Sequence, residues 1–202
     1  MNLITETQYF PPISAFKALC NKTHLILEQY EAFQKMSFRN RCVILGANGL
    51  ISLTVPIVGG REQKMPISDV EIDYGQPWVR SHIRSLESAY SKAPFYHYYK
   101  DEIENMLSSR EKYLLDINLK LLHFLFKALT INTKICFTSQ FNLSYSDAVD
   151  ARNTVLPKNF QQNKDNWQPK YSQVFENKWG FQPNLSILDL LFCEGPNAAN
   201  LL

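Results

Sequence analysis

Along residues 3 to 10, LITETQYF, apolar and polar side chains alternate loosely, as on a strand with one buried face. The pattern stops at Pro11-Pro12, where neither ring nitrogen can donate to a ladder. Ser14 is placed to cap a short helix running to Cys20, and residues 24 to 30, HLILEQY, read as a second strand around Leu25, Ile26 and Leu27. Strand, helix and strand in that order predict a βαβ start whose ligand-binding end is the carboxyl end of the strands, lined by Tyr9, Phe10 and Pro11.

Residues 41 to 57, RCVILGANGLISLTVPI, hold two β-rich runs about Asn48-Gly49, a dipeptide that tolerates the positive φ of a tight turn, and predict a β-hairpin. Pro56 and Gly59-Gly60 end its second strand, and a loop carrying Arg61, Glu62, Gln63 and Lys64 leads to a short strand at DVEID. From Pro77 the period turns helical, with Val79, Ile83, Leu86 and Tyr90 on one face and an end before Ala93-Pro94. Further helices are predicted at about 98 to 107 and 112 to 129, the latter with Leu114, Ile117, Leu121, Leu125 and Leu129 as its core stripe. Residues 134 to 141 predict another strand. Residues 152 to 184 keep no period and predict a long lid-like or partly mobile loop, rich in aromatics such as Trp167, Tyr171, Phe175, Trp179 and Phe181. Ser186 and Asp189 have capping-box spacing ahead of a short apolar terminal helix.

These elements predict an α+β (mixed α/β) fold: a single domain over 1–202, with a central mixed sheet of about five to seven strands and flanking helices. With 45% hydrophobic and 20% charged residues the chain can bury a core, which excludes a disordered segment. A net charge of +2 without a basic tract argues against nucleic-acid binding. No apolar run approaches the roughly 20 residues of a membrane helix, and the opening lacks the pattern of a signal peptide, so the reading is a cytoplasmic protein. Cys20, Cys42, Cys136 and Cys193 lie far apart among apolar neighbours, as reduced structural thiols do.

No phosphate-cradling loop is present, and His24, His82, His97 and His123 lack metal-ligand spacing, so neither a metal nor a cofactor is predicted. His123 reads as a satisfied core histidine. His82 stands one turn after Trp78 at the edge of an apolar stripe, where an imidazole serves either as a proton-transfer group or as a hydrogen-bonded strut. In QKMSFRNR, strand alternation sends Arg39 and Arg41 to one face and Asn40 to the other. Two guanidinium forks on one face suit a phosphate or carboxylate, and equally a solvated strand edge. Gln34 and Ser37 add neutral donors and acceptors of the kind that meet sugar hydroxyls. Asp69, Glu71 and Asp73 read as solvent-facing, and the aromatics from Phe95 to Tyr99 as helix packing.

Taken together, QYFPPISAF, YEAFQKMSFRNRCVI, NGLISLTVPIVGG, PISDVEID, PWVRSHIRSLESAYSKAPFYHYY, LLDINLKLLHFL and WGFQPNLSILDLLFCEGP resemble the WbqC-like family of bacterial proteins in order and spacing. The departure is at the start, where some members carry Gln-Pro-Tyr and this chain has Gln8-Tyr9. The resemblance implies a part in bacterial surface-polysaccharide biosynthesis (O-antigen or capsule), as a modifying step on a sugar-nucleotide precursor. It matches the family's Asn-Arg pair to Asn40-Arg41 and its Trp…His element to Trp78 and His82, and so implies a pocket role for Asn40, Arg41 and His82.

The favoured expectation is a transferase that adds an acyl or aminoacyl group to a nucleotide-linked amino sugar. Its small-molecule substrates are then a nucleotide sugar and an acyl donor. His82 is the general base, Asn40 orients the reacting group, Arg39 and Arg41 neutralise phosphates, and Tyr9, Gln34 and Trp78 line the substrate site. Two alternatives stand beside it: a non-catalytic partner in a polysaccharide-assembly complex, using the aromatic segment at 160 to 181, and a thiol hydrolase using Cys20 or Cys42.

Overall fold

The computed structural model describes residues 2–20, 22–60, 64–162 and 169–202. Two apolar pentapeptides, NLITE and HLILE, form strands β1 (Asn2–Glu6) and β2 (His24–Glu28), joined through helix α1 (Ile13–Leu19). β1 is buried on both faces from Leu3 onward, as a parallel strand covered from both sides must be. The sheet continues with β5 (Lys134–Phe137) beside β2 and β6 (Val149–Asp150) beside β1, giving the order β5-β2-β1-β6 with every pair parallel. The chain builds outward from β1 through β2 to β5 and then crosses back to the other side of β1. The carboxyl ends of β1 and β6 are therefore the point where strand order reverses, the usual place for a ligand crevice in such a sheet.

The predicted hairpin is present as β3 (Arg41–Gly46) and β4 (Gly49–Thr54), but it forms its own two-stranded sheet. The central sheet thus has four strands, fewer than the five to seven expected, because the hairpin buries its faces elsewhere. Cys42 and Ile44 join the main core, while Val43 and Leu45 pack with Phe38, Phe160 and Leu185. Of the Asn-Gly pair only Gly49 takes a positive φ, 108°. The strand expected at DVEID is a 3-10 turn (Ile67–Asp69) followed by isolated bridges, Glu71 to Tyr113 and Ile72 to Ile57, whose different partners leave no continuous ladder.

The helical periodicity is realised in α2 (Trp78–Tyr90), α3 (Tyr96–Ser108) and α4 (Leu114–Ala128), whose apolar stripes meet β1, β2 and the terminal helix α6 (Ile187–Glu194) in one core. His123 is exposed and not in that core, since it sits on the solvent side of α4. Ser14 does not cap α1; its backbone N–H donates to the Asn184 side-chain oxygen at 2.7 Å, so the cap comes from a distant loop. Ser186 does cap α6, accepting from the Leu188 N–H at 3.3 Å. Asp189, expected to close a capping box, instead faces inward and accepts from Tyr90, Tyr171 and Gln173.

This inward carboxylate organises the segment from 169 to 182. Tyr171 is buried, helix α5 (Glu176–Trp179) follows, and Lys178 and Trp179 donate to the Ala47 carbonyl at the hairpin tip. The long loop expected at 152 to 184 is thus largely docked, with Phe160 also buried. Trp167, Arg61, Glu62 and Gln63 lie outside the described residues.

Candidate functional site

In the parallel register of β1 and β2, Glu6 stands beside Glu28 at the carboxyl ends of the two strands. Both are buried, at 3% and 0% exposure, and a third carboxylate, Glu31 at 4%, follows in the loop after β2. Adjacent buried carboxylates repel one another and lose hydration, so the arrangement stands only if donors converge on it.

They do converge. Glu28 accepts from the Tyr30 N–H (2.9 Å), Thr138 Oγ1 (2.9 Å) and Tyr145 OH (2.7 Å), with Arg152 Nη1 3.6 Å away. Arg152 is itself held by Asp150 at 2.7 Å and by the rings of Phe141 and Tyr145, 5.5 and 4.9 Å from its Cζ. Glu6 accepts from Gln8 Nε2 (2.7 Å) and from the Asn153 N–H (3.0 Å). Arg39, with no solvent exposure, forks onto Glu31 through Nε at 2.8 Å and Nη2 at 2.6 Å, and Nη2 also reaches Asn153 Oδ1 at 3.0 Å. Burial raises the Glu31 carboxyl above the ordinary range against the pull of Arg39, with Glu6 and Glu28 adding to the rise.

Three polar atoms of this region are buried with no hydrogen-bond partner: Arg39 Nη1, Gln8 Oε1 and Asn118 Oδ1. The orientation of both amides is fixed by their donors. Gln8 Nε2 is committed to Glu6, and Asn118 Nδ2 donates to the Arg39 carbonyl at 2.8 Å. Both oxygens belong to side chains lining one small cavity of about 20 Å³, with Glu6, Thr7 and a wall of Leu19, Leu27 and Leu122. A separate open groove of about 530 Å³ is lined by Glu31, Gln34, Lys64, Phe141, Arg152 and Asn153, among others. Buried polar atoms without partners are rare in folded proteins, and a group of them at the carboxyl edge of a parallel sheet marks this edge as the candidate site.

The residues expected from sequence divide around this edge. Residues 38–40 form a 3-10 turn, so strand alternation begins only at Arg41 and Arg39 is turned inward to Glu31. Arg41 is half-buried, with Nη1 3.9 Å from Met36 Sδ. Asn40 donates to the Val55 carbonyl at 2.9 Å and latches the open end of the hairpin. Gln34 is exposed at the groove. Tyr9 and His82 meet directly, the Tyr9 hydroxyl 3.0 Å from His82 Nδ1, and Trp78 stacks edge-on to His82 at 5.1 Å and lies 5.7 Å from Tyr74. Burial lowers the His82 pKa to about 4, only partly opposed by its bond to the Thr54 backbone, so the ring is neutral and both polar edges are occupied. Tyr9, Asn40, Trp78 and His82 form one buried group under the hairpin.

Cys42 is buried and its thiol pushed far up, and burial raises Cys20 to about 11. Cys20 donates to the Phe16 carbonyl, and burial disfavours the thiolate at both positions, which weighs against the thiol-hydrolase expectation. Among the described residues no group of three or more His, Cys, Asp or Glu is placed to hold a metal ion, and no helix is long and apolar enough to cross a membrane.

Sequence reading passed over Glu6, Gln8, Glu28, Glu31, Asn118 and Arg152. A signal existed for three of them. NLITE and HLILE end in the same acid at the same strand position, and Asn118 is a lone amide on the buried stripe of α4.

The model of the WbqC-like protein family matches residues 7–201. The chain is also 27% identical to "Uncharacterized protein Rv1507c" of Mycobacterium tuberculosis, over 98% of its own length and 96% of that protein's. No solved structure matches.

Proposed function

The chain belongs to the WbqC-like protein family, and on that premise we propose that it acts in bacterial surface-polysaccharide biosynthesis, transferring an acyl or aminoacyl group to the amine of a nucleotide-linked sugar. The observation that carries this reading is the acceptor set of the small cavity. Gln8 Oε1 and Asn118 Oδ1 are buried acceptors that receive no hydrogen bond while their amide nitrogens donate to Glu6 and to the Arg39 carbonyl, and the Glu6 carboxylate lies on the same wall. An amine supplies the donors these oxygens lack. The volume admits one such group and little more, since a single water needs about 10–15 Å³.

In this reading the sugar amine enters between Gln8 and Asn118, Glu6 takes its proton, and the nitrogen attacks the acyl carbon as the carrier departs. Arg39, Asn40, Tyr9, Trp78 and His82 serve by positioning: Arg39 fixes Glu31, and the Tyr9–His82 pair and Asn40 hold the strand ends. The alternative of an assembly partner draws its support from Trp179, which is 42% exposed, while Tyr171 in the same segment is buried.

The test compares a nucleoside-diphosphate amino sugar with its hydroxyl counterpart. Thermal stabilisation by the amine alone, mass gain of one acyl group on it, and loss of both in Gln8→Leu and Asn118→Leu are the expected results. Equal stabilisation by the two sugars, or transfer unaffected in Gln8→Leu, overturns the assignment.

A further inference from the structure

A second concavity, of about 660 Å³, lies on the outward side of α2. Arg80 and Arg84 from α2 and Arg110 from the turn after α3 line it, with Val79 and Ile83 among its apolar residues and Tyr74 at its side. None of its lining residues is acidic. An adjoining groove of about 430 Å³ shares Arg80 and Arg84, adds Ile51 and three serines from α2, and is equally free of carboxylates.

Four other cations of the chain meet carboxylates: Lys112 meets Glu71, Lys120 meets Glu111, Lys127 meets Glu102 and Arg152 meets Asp150. Among the described residues no carboxylate lies within 4.0 Å of the guanidinium nitrogens of Arg80, Arg84 or Arg110. Arg80 and Arg84 stand one helical turn apart, where like charges weaken a helix. Arg110 sits at a φ of 55°, a left-handed conformation unfavourable for a residue with a Cβ, and its Cζ lies 5.5 Å over the Tyr74 ring. Apart from the contact of Arg110 with the Tyr74 ring, these three charges have no ion-pair partner among the described residues, and the field of each adds to the others across the groove.

We infer that this groove binds a nucleoside diphosphate or its ester. Guanidinium forks match phosphate oxygens in pairs, and three of them balance the charge of a diphosphate. Val79 and Ile83 offer an apolar surface for a base. The volume falls inside the range of about 300–1,000 Å³ typical of small-ligand sites. A nucleic-acid strand would call for a longer basic track than a chain of net charge +2 provides. This site goes beyond the transferase reading and stands whether or not the chain transfers a group, because its lining shares no residue with the carboxyl-edge cavity or its groove.

Isothermal titration of the full chain with uridine diphosphate and adenosine diphosphate tests it, with inorganic pyrophosphate and uridine as the two halves. The expected result is saturable binding of a nucleoside diphosphate, weaker binding of pyrophosphate, none of uridine, and weakening with added salt. Arg80→Ala with Arg84→Ala lowers the affinity by at least about tenfold, the scale of one lost charge-assisted bond, while the melting temperature holds because both side chains are exposed. Lys127→Ala, on α4, leaves binding unchanged. The inference is overturned by absence of nucleotide binding at millimolar concentration, by binding that the arginine variant retains, or by tighter capture of phosphatidylglycerol vesicles or single-stranded RNA than of either nucleotide.

Discussion

His82 distinguishes a buried strut from a working base, and acidification separates the two. Its pKa is lowered to about 4 in the folded chain from 6.5, mainly because burial penalises the imidazolium. The unfolded chain therefore binds more protons than the folded one between those values, and stability present above about pH 6.5 is lost as pH falls towards 4. The difference of roughly 2.5 pKa units corresponds to about 3 kcal/mol in full, of which about 2 kcal/mol disappears between about pH 7 and pH 5. Urea unfolding across that interval, for the native chain and for His82→Gln, reads the effect as a difference in pH slope, because the other titrating groups are common to both. Nitrogen-detected NMR of the imidazole follows the same titration directly. Equal slopes in the two proteins, or a His82 resonance titrating near 6.5, would refute the reasoning and return His82 to the list of accessible bases.

Glu31→Gln leaves the wholly buried Arg39 guanidinium without its carboxylate, and unfolding free energy should fall by about 3–5 kcal/mol, or roughly 6–20 °C in melting temperature. Pairing that change with Arg39→Met should restore most of the loss in the same melt; a double variant as weak as the single one contradicts the charge argument. Asp189→Ala removes the acceptor of Tyr90, Tyr171 and Gln173, so a destabilisation of about 3 kcal/mol is expected together with faster proteolysis within 169–182. Gly195→Ala should cost at least about 2 kcal/mol in urea titration, since φ is 57° and the new Cβ would fall 2.5 Å from the Phe95 ring. Gly180→Ala, at φ 68° but in open space, should cost about half as much.

Much of the fold was legible because it rests on local periodicity. The stripe of α4 and the hairpin at 41–54 are patterns a few residues long, each satisfied by its own side chains. Element ends were less visible. Ser14 has the chemistry of a cap, yet Asn184 does the work, from a loop that arrives only when the chain is folded. The two-residue β6, which completes the switch point, carries too little pattern to be read at all.

The site was harder still. Arg39 and Arg41 look alike in sequence, and the difference between them is a 3-10 turn and a glutamate eight residues away. By itself the sequence determined most of the helices, the hairpin and the first two strands, the apolar stripes that meet in the core, and the family to which the chain belongs. Only the tertiary structure decided that Glu6, Glu28 and Glu31 share one buried edge with Arg39 and Asn118, and that Arg80, Arg84 and Arg110 share a groove with no acid in its lining. Periodicity acts between neighbours in the chain, whereas desolvation and charge pairing act across space and depend on who arrives from far away.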